Sequence, residues 1–338
     1  MRLIEKLAYC LFAIIPVVAA GCSASGTTTM TAATSGAPPE QPTIVVEAVP
    51  TSDEAGLYIA EDDGFFRQQG LNVKIEPTTG GELTLPDLQS GKAQIVAGNY
   101  VSFIKFQANH RADLRIFAEG SLMNPGNQAI YVRPGSDIHS VADLAAHHAT
   151  IGVNTLNNVG QVLIGSLLKS DGLPLGHVHL TAPKTGFPGL IAELKSGSID
   201  AAWLPEPFGT MAQQQFGAVE LADLDQGALQ SFPIGCYIGT KSWTTTHPST
   251  VAAFLRALEQ GQEVADSNRA AVEQSLEKHT QVPPVIADSM TVNNYPLSMS
   301  VPAMQRVADA MYEFGVLSRP YAITNMVQPE PGMVRTGM

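Results

Sequence analysis

From residue 43 onward, short β-branched runs alternate with longer stretches whose apolar positions recur at helical spacing. Residues 43–49 read as a strand. Thr51 and Glu54 then stand three apart, the spacing of a capping box with Thr51 as N-cap, opening a helix expected over 55–69 and stopped at Gly70. A strand over 72–76, a turn at Thr79-Gly80-Gly81, a helix to Ser90 stopped at Gly91 and a strand over 93–97 follow. The rhythm returns with strands over 149–153, 177–181 and 199–203 and helices over 158–171, 189–196 and 207–215. Two such β-α-β-α-β series predict an α/β protein with two similar halves, each a mostly parallel sheet flanked by helices. Residues 249–265, 269–278 and 301–315 add amphipathic helices expected to pack around the first half.

Residues before 43 follow another pattern. Arg2 and Lys6, diluted by Glu5, precede an apolar stretch over 7–20 that is short for a bilayer and interrupted by Pro16. Val18-Ala19-Ala20-Gly21-Cys22 resembles a bacterial lipobox, with Val18 where Leu is usual. The resemblance implies a signal peptide over 1–21 and a lipid on Cys22; the alternative is an ordinary secretory signal. Residues 22–42 are small, polar and proline-rich, which suits a tether with a mean reach of roughly 25 Å. With Cys10 removed and Cys22 lipidated, Cys236 stands alone in an apolar run, a buried thiol with no disulfide partner.

Charge narrows the function. The chain has 31 acidic and 19 basic residues, a net of −12, or −13 once Arg2, Lys6 and Glu5 are removed. There is no basic stripe, which argues against nucleic acid. Residues 43–338 exceed one comfortable core, so two lobes are expected.

Several stretches, in order, carry a more specific resemblance: Gly56-Leu57-Tyr58-Ile59-Ala60-Glu61-Asp62-Asp63-Gly64-Phe65-Phe66, then Gln69-Gly70-Leu71-Asn72-Val73, Leu88-Gln89-Ser90-Gly91-Lys92-Ala93, Val141-Ala142-Asp143-Leu144 and Ser198-Ile199-Asp200-Ala201-Ala202-Trp203-Leu204-Pro205-Glu206-Pro207-Phe208. Together they resemble the nitrate/sulfonate/taurine-type periplasmic binding proteins, whose superfamily includes binders of thiamine-pyrimidine precursors. The resemblance implies a two-lobed periplasmic-binding-protein fold of type II that traps a small molecule between its lobes. It implies delivery to the permease and ATPase subunits of an ABC importer, by a monomer without cofactor or catalysis. The crossovers are placed in 128–133 and 232–239, giving lobe one as 43–130 with 234–338 and lobe two as 131–233.

In open α/β sheets ligands sit beyond the carboxyl ends of strands. Those loops are 51–55, 78–82, 99–103, 124–128, 154–160 and 203–208, and they supply the candidates Ser52, Asp53, Gly80, Gly81, Asn99, Tyr100, Asn124, Thr155, Asn157, Asn158, Trp203 and Glu206. Gly80 and Gly81 admit close backbone approach, and helix N-termini at Ser52 and Asn158 would offer donors. Trp203 suits stacking or core packing. Glu206, between two prolines, suits a ligand N–H or a helix cap. The six loops hold Asp53, Glu54, Glu82 and Glu206 but no Lys or Arg. That composition points to an organic molecule with N–H donors, an amino-sulfonate or a heterocycle, with the family's anions left open.

Two rival chemistries have weaker support. Ser102-x-x-Lys105, Ser166-x-x-Lys169 and Lys184-Thr185-Gly186 match fragments of serine acyl-transferase motifs, but Ser170-Asp171-Gly172 lacks the expected Asn. His177-x-His179 on a strand would place two rings on one face beside His147 and His148, short of a zinc set; no metal is expected.

Overall fold

The computed structural model describes residues 37–328; the expected signal peptide over 1–21 and Cys22 lie outside that range. Among the described residues ten strands are formed: β1 (Thr43–Ala48), β2 (Asn72–Pro77), β3 (Ile95–Asn99), β4 (Leu114–Leu122), β5 (Gln128–Val132), β6 (Thr150–Gly152), β7 (His179–Thr181), β8 (Ala201–Pro205), β9 (Val219–Asp223) and β10 (Pro233–Thr240). They make two five-stranded sheets, ordered β2-β1-β3-β10-β4 and β7-β6-β8-β5-β9. In the first sheet β1 runs parallel to β2 and β3, while β10 is antiparallel to β3 and β4. In the second, β6 runs parallel to β7 and β8, and β5 is antiparallel to β8 and β9. Four strands of each sheet therefore point one way and one is reversed. In both sheets the reversed strand is the first one reached after the chain crosses over, so the two sheets share one topology.

Several local expectations need correction. Neither crossover lies where the sequence places it: Gln128–Val132 pairs along its whole length with β8, and Pro233–Thr240 pairs with β3 and β4, so the chain changes sheets before each of these strands. The expected helix over 55–69 is two pieces, Ala55–Asp62 and Phe65–Gln68, separated at Gly64, whose φ of 75° only glycine adopts at little cost. No capping box forms at Thr51. Its hydroxyl donates to Asp53 Oδ2 at 2.8 Å, and Ser52–Glu54 is a 3-10 turn without a side-chain cap. His177 ends another 3-10 turn, Leu175–His177, outside the strand that holds His179, so the shared-face premise for a metal pair fails. Among the described residues no cluster of three or more metal-ligating side chains occurs. Nor is any described helix long and apolar enough to cross a membrane.

The helix Ala55–Asp62 is buried for most of its length and crosses Pro248–Ser267 closely. A Cβ at Gly261 would stand 2.1 Å from the carbonyl oxygen of Gly56, so only glycine permits this crossing. The C-terminal helix Val301–Glu313 does more than cover the first sheet. It buries Met304, Val307, Ala308 and Met311 in a core shared with Phe103 and Ile104 of one half and Leu163 and Leu167 of the other. Gln161 Nε2 donates to the carbonyl oxygen of Phe314 at 2.8 Å, and Lys169 pairs with Glu313. Cys236 is a free, buried thiol held protonated by burial.

Candidate functional site

The carboxyl ends of the parallel strands face each other across a cleft. Its inner part is a cavity of about 410 Å³, open mouth included, lined by Val49, Thr51, Asp53, Glu54, Gly98, Asn99, Ile234 and Gly235 from the first half. Gln128, Asn154, Val159, Phe187, Trp203 and Pro205 line it from the second.

The first wall is acidic. Asp53 sits where β1 enters its 3-10 turn and its carboxylate is fully engaged. Oδ2 accepts from the Thr51 hydroxyl, and Oδ1 accepts from Ser121 Oγ at 3.0 Å and Asn293 Nδ2 at 2.7 Å. Burial raises its pKa while these three donors oppose the rise. Glu54 is 2% exposed, and its carboxyl meets the Tyr237 hydroxyl. Burial, then the neighbouring Asp53 charge, pushes Glu54 well above the ordinary carboxylate range. No Lys or Arg lines the cavity.

The second wall is aromatic. Trp203 is the middle residue of β8, the central strand of its sheet, and its indole N–H donates to Gln128 Oε1 at 3.0 Å, which fixes the ring. Phe187 packs edge-on to Trp203 with centroids 5.5 Å apart and stacks on Phe208 at 4.8 Å. A Cβ added at Gly160 would meet the Trp203 ring at 3.0 Å, so this glycine leaves room for the indole. Beside it, the carboxamide oxygen of Asn154 is shut off from solvent without a hydrogen-bond partner.

Of the twelve residues singled out from the sequence, Asp53, Asn99 and Trp203 line this cavity. Asn99 also caps the helix Tyr100–Ala108 by accepting from the Ser102 N–H at 2.9 Å. Five others gather where the two halves touch. Asn158 Nδ2 donates to Ser102 Oγ at 2.9 Å and Glu82 Oε1 at 3.2 Å, and Lys105 Nζ donates to the Asn157 carbonyl at 2.9 Å and to Glu82. Gly80 faces Thr155, and Gly81 lies against Ser102. Asn158 also accepts from the Val159 N–H, which caps the helix Val159–Ser170.

The remaining four take up other places. Ser52 Oγ donates to Asn293 Oδ1 at 2.7 Å and to the Glu206 carbonyl at 3.2 Å, tying the halves below the cavity. Asn124 Nδ2 donates to the Val292 carbonyl. The Tyr100 hydroxyl is fully buried against Glu119 and Cys236 rather than in the cleft. Glu206 accepts from the Thr210 N–H at 3.2 Å and the Thr210 hydroxyl at 2.8 Å, so its carboxylate caps the helix Phe208–Phe216. Burial pushes its pKa up to about 7.

Sequence reasoning missed Glu54, Asn154, Phe187 and Asn293. Glu54 was read as a capping partner, and Phe187 lies one residue inside a helix that was expected to start at 189. Asn154 was in a candidate loop but was passed over. Asn293 comes from an irregular stretch near the carboxyl end, which carries no periodic signal.

Comparison with known proteins agrees with this architecture. The alkanesulfonate-binding protein SsuA from Xanthomonas axonopodis pv. citri bound to MOPS superposes with a TM-score of 0.72 at 18% identity, over 86% of this chain and 99% of that one. The periplasmic nitrate-binding protein NrtA from Synechocystis PCC 6803 gives 0.65 at 17% identity, over 74% and 70%. At these identities the likeness establishes the two-lobed α/β fold. In sequence, the chain is 24% identical over 234 residues to the nitrate import ATP-binding protein NrtC of Synechocystis sp., covering 65% of this chain. It spans about a third, 34%, of that relative's length. The family model described as NMT1/THI5 like matches residues 51–270, well over half of the chain, and the chain belongs to that family.

Proposed function

We propose that this chain is an extracytoplasmic solute-binding protein that captures a small polar organic molecule between its lobes and hands it to the permease and ATPase subunits of an ABC importer. One observation carries the reading: a single cavity at the strand ends is walled by both sheets, so closing the lobes would enclose its occupant. Family membership and the printed roles of the related proteins support it. The lipid on Cys22 and the tether over 22–42 belong to the same reading, holding a monomer on the outer face of the membrane. Within it, lobe one is 43–130 with 234–338 and lobe two 131–233, adjusted at both crossovers as described above. The ligand is a solute with N–H donors, drawn from the family's amino-sulfonates or from nitrogen heterocycles such as a pyrimidine precursor. The protein binds this solute without turning it over.

A thermal-shift screen across anionic, zwitterionic, neutral and cationic solutes tests capture, because a tight ligand raises the melting temperature by mass action. A confirmed hit should also shrink the particle in small-angle scattering as the lobes close. No stabilisation by any class, or chemical conversion of a hit by purified protein, contradicts the proposal. Cell fractionation of the Cys22→Ser variant checks the anchor: the variant should move from membrane to soluble fraction.

A further inference from the structure

The cavity is lined by two carboxyls, Asp53 and Glu54, and three carboxamides, Asn99, Gln128 and Asn154, with no cation among them. The Glu54 carboxyl is almost wholly removed from solvent and meets the Tyr237 hydroxyl; burial and the Asp53 charge favour its protonated form in the ligand-free protein, and it becomes a full acceptor when an occupant brings compensating positive charge. The Asn154 carboxamide oxygen, on the opposite wall, is buried with no partner at all. Buried acceptors left in that condition call for donors from the occupant. The cavity lining has no cation to supply them, and the nearby Lys105 is already held by Glu82 and the Asn157 carbonyl.

Shape and surface add a second requirement. Trp203 is clamped by its hydrogen bond to Gln128 and braced by Phe187, so the second wall is a fixed aromatic surface. Aromatic faces attract cations and stack on flat groups, and they do so more strongly in a desolvated site. With no Lys or Arg in the lining, an anion would meet the Asp53 carboxylate on one side and an uncharged aromatic surface on the other, whereas a cation would favour the ionised form of Glu54 beside it.

We propose that the occupant of the cleft is a planar organic cation bearing N–H donors, of the amidinium or aminopyridinium kind, with its N–H groups on Glu54 and Asn154 and its flat face against Trp203. The inference rests on the solute-binding reading and deepens it by excluding the anions that the related proteins are named for. Asp53 has a positioning role here. Held by Thr51, Ser121 and Asn293, it adds negative potential without spending its oxygens on the ligand.

Calorimetric titration at pH 7 with matched probes tests this. Benzamidine and 4-aminopyridine are flat cations, and benzoate and benzenesulfonate are similarly sized flat anions. The expected result is saturable binding of at least one cation, with both anions at least tenfold weaker. The Glu54→Gln variant should lose at least tenfold in cation affinity, and unchanged cation affinity in that variant overturns the contact with Glu54. Anions binding as tightly as the cations, or a neutral solute binding where neither cation does, overturns the charge assignment and leaves solute capture standing. Failure of every solute class to bind overturns both.

Discussion

The two walls of the cleft were built from the same topology to opposite ends. In the first sheet, the turn after the second-ranked strand β1 brings two adjacent carboxyls, Asp53 and Glu54, into a buried position. In the second sheet, the equivalent strand β6 runs into Asn154, and the carboxylate of that half, Glu206, is turned away to cap a helix while aromatics take the wall. A shared fold therefore says where a ligand sits and nothing about its charge. The charge is written in which side chains have their oxygens already occupied. Asp53 and Glu206 are satisfied by protein donors; the Asn154 oxygen has none, and Glu54 meets only the Tyr237 hydroxyl.

The largest expected effect probes the aromatic wall. Trp203 is 3% exposed, so Trp203→Ala should destabilise the ligand-free protein by about 3–5 kcal/mol, read by chemical denaturation. Trp203→Phe should recover most of that stability while leaving affinity for flat ligands reduced. If both variants bind as the wild type does, the aromatic wall is only core.

The acidic half should show itself in the pH dependence of stability. Burial pushes Glu119 up to about 7 from 4.5, despite the hydrogen bond its carboxylate accepts from the Ser300 N–H. Its folded form then holds a proton that the unfolded chain has released, so this contribution is fullest below about pH 4.5 and is lost as pH climbs to about 7. The rise corresponds to about 3 kcal/mol at most. Glu119→Gln should flatten the stability profile between pH 5 and 8, leaving the variant more stable than wild type at pH 8. An unchanged slope in the variant would place the pH dependence elsewhere.

Legibility from sequence followed the same division. Most strand positions, helix stops such as Gly91 and Gly197, and the two-half rhythm were readable because each rests on local periodicity and local turn chemistry, but the sheet-edge strands β4 and β9 were not expected. The reversed strands β5 and β10 were not legible as such, because antiparallel pairing to strands distant in sequence leaves no local mark. Asp53, Asn99 and Trp203 were found by their strand-end position. Asn293 was not, because its role comes from a contact with Asp53 across 240 residues of chain. Glu54 was misread for the opposite reason: its spacing from Thr51 fits a local motif that the buried tertiary environment overrides.

A smaller effect separates capping from binding in the second half. Glu206→Ala should cost about 0.5–2 kcal/mol of stability, as expected for a lost helix cap, with ligand affinity held within about twofold. A tenfold loss of affinity with stability intact would return Glu206 to the site. The smallest effect concerns the contact beside the cleft. Lys105 is partly buried between Glu82 and Asn157, and Lys105→Ala should cost under about 1 kcal/mol while speeding ligand release in stopped-flow measurements. Release at the wild-type rate would show that this ion pair does not hold the lobes.

The most direct measurement uses the protein's own fluorescence. The chain has two tryptophans: Trp203 on the cavity wall, and Trp243, whose indole donates to Gln41 away from it. In the Trp243→Phe variant, emission comes from Trp203 alone. Titration with benzamidine should give a saturable change in that emission, and benzoate at the same concentrations should give none. A saturable change with benzoate and none with benzamidine, or no change with any solute that calorimetry shows to bind, would contradict the placement of a cation between the acidic and aromatic walls.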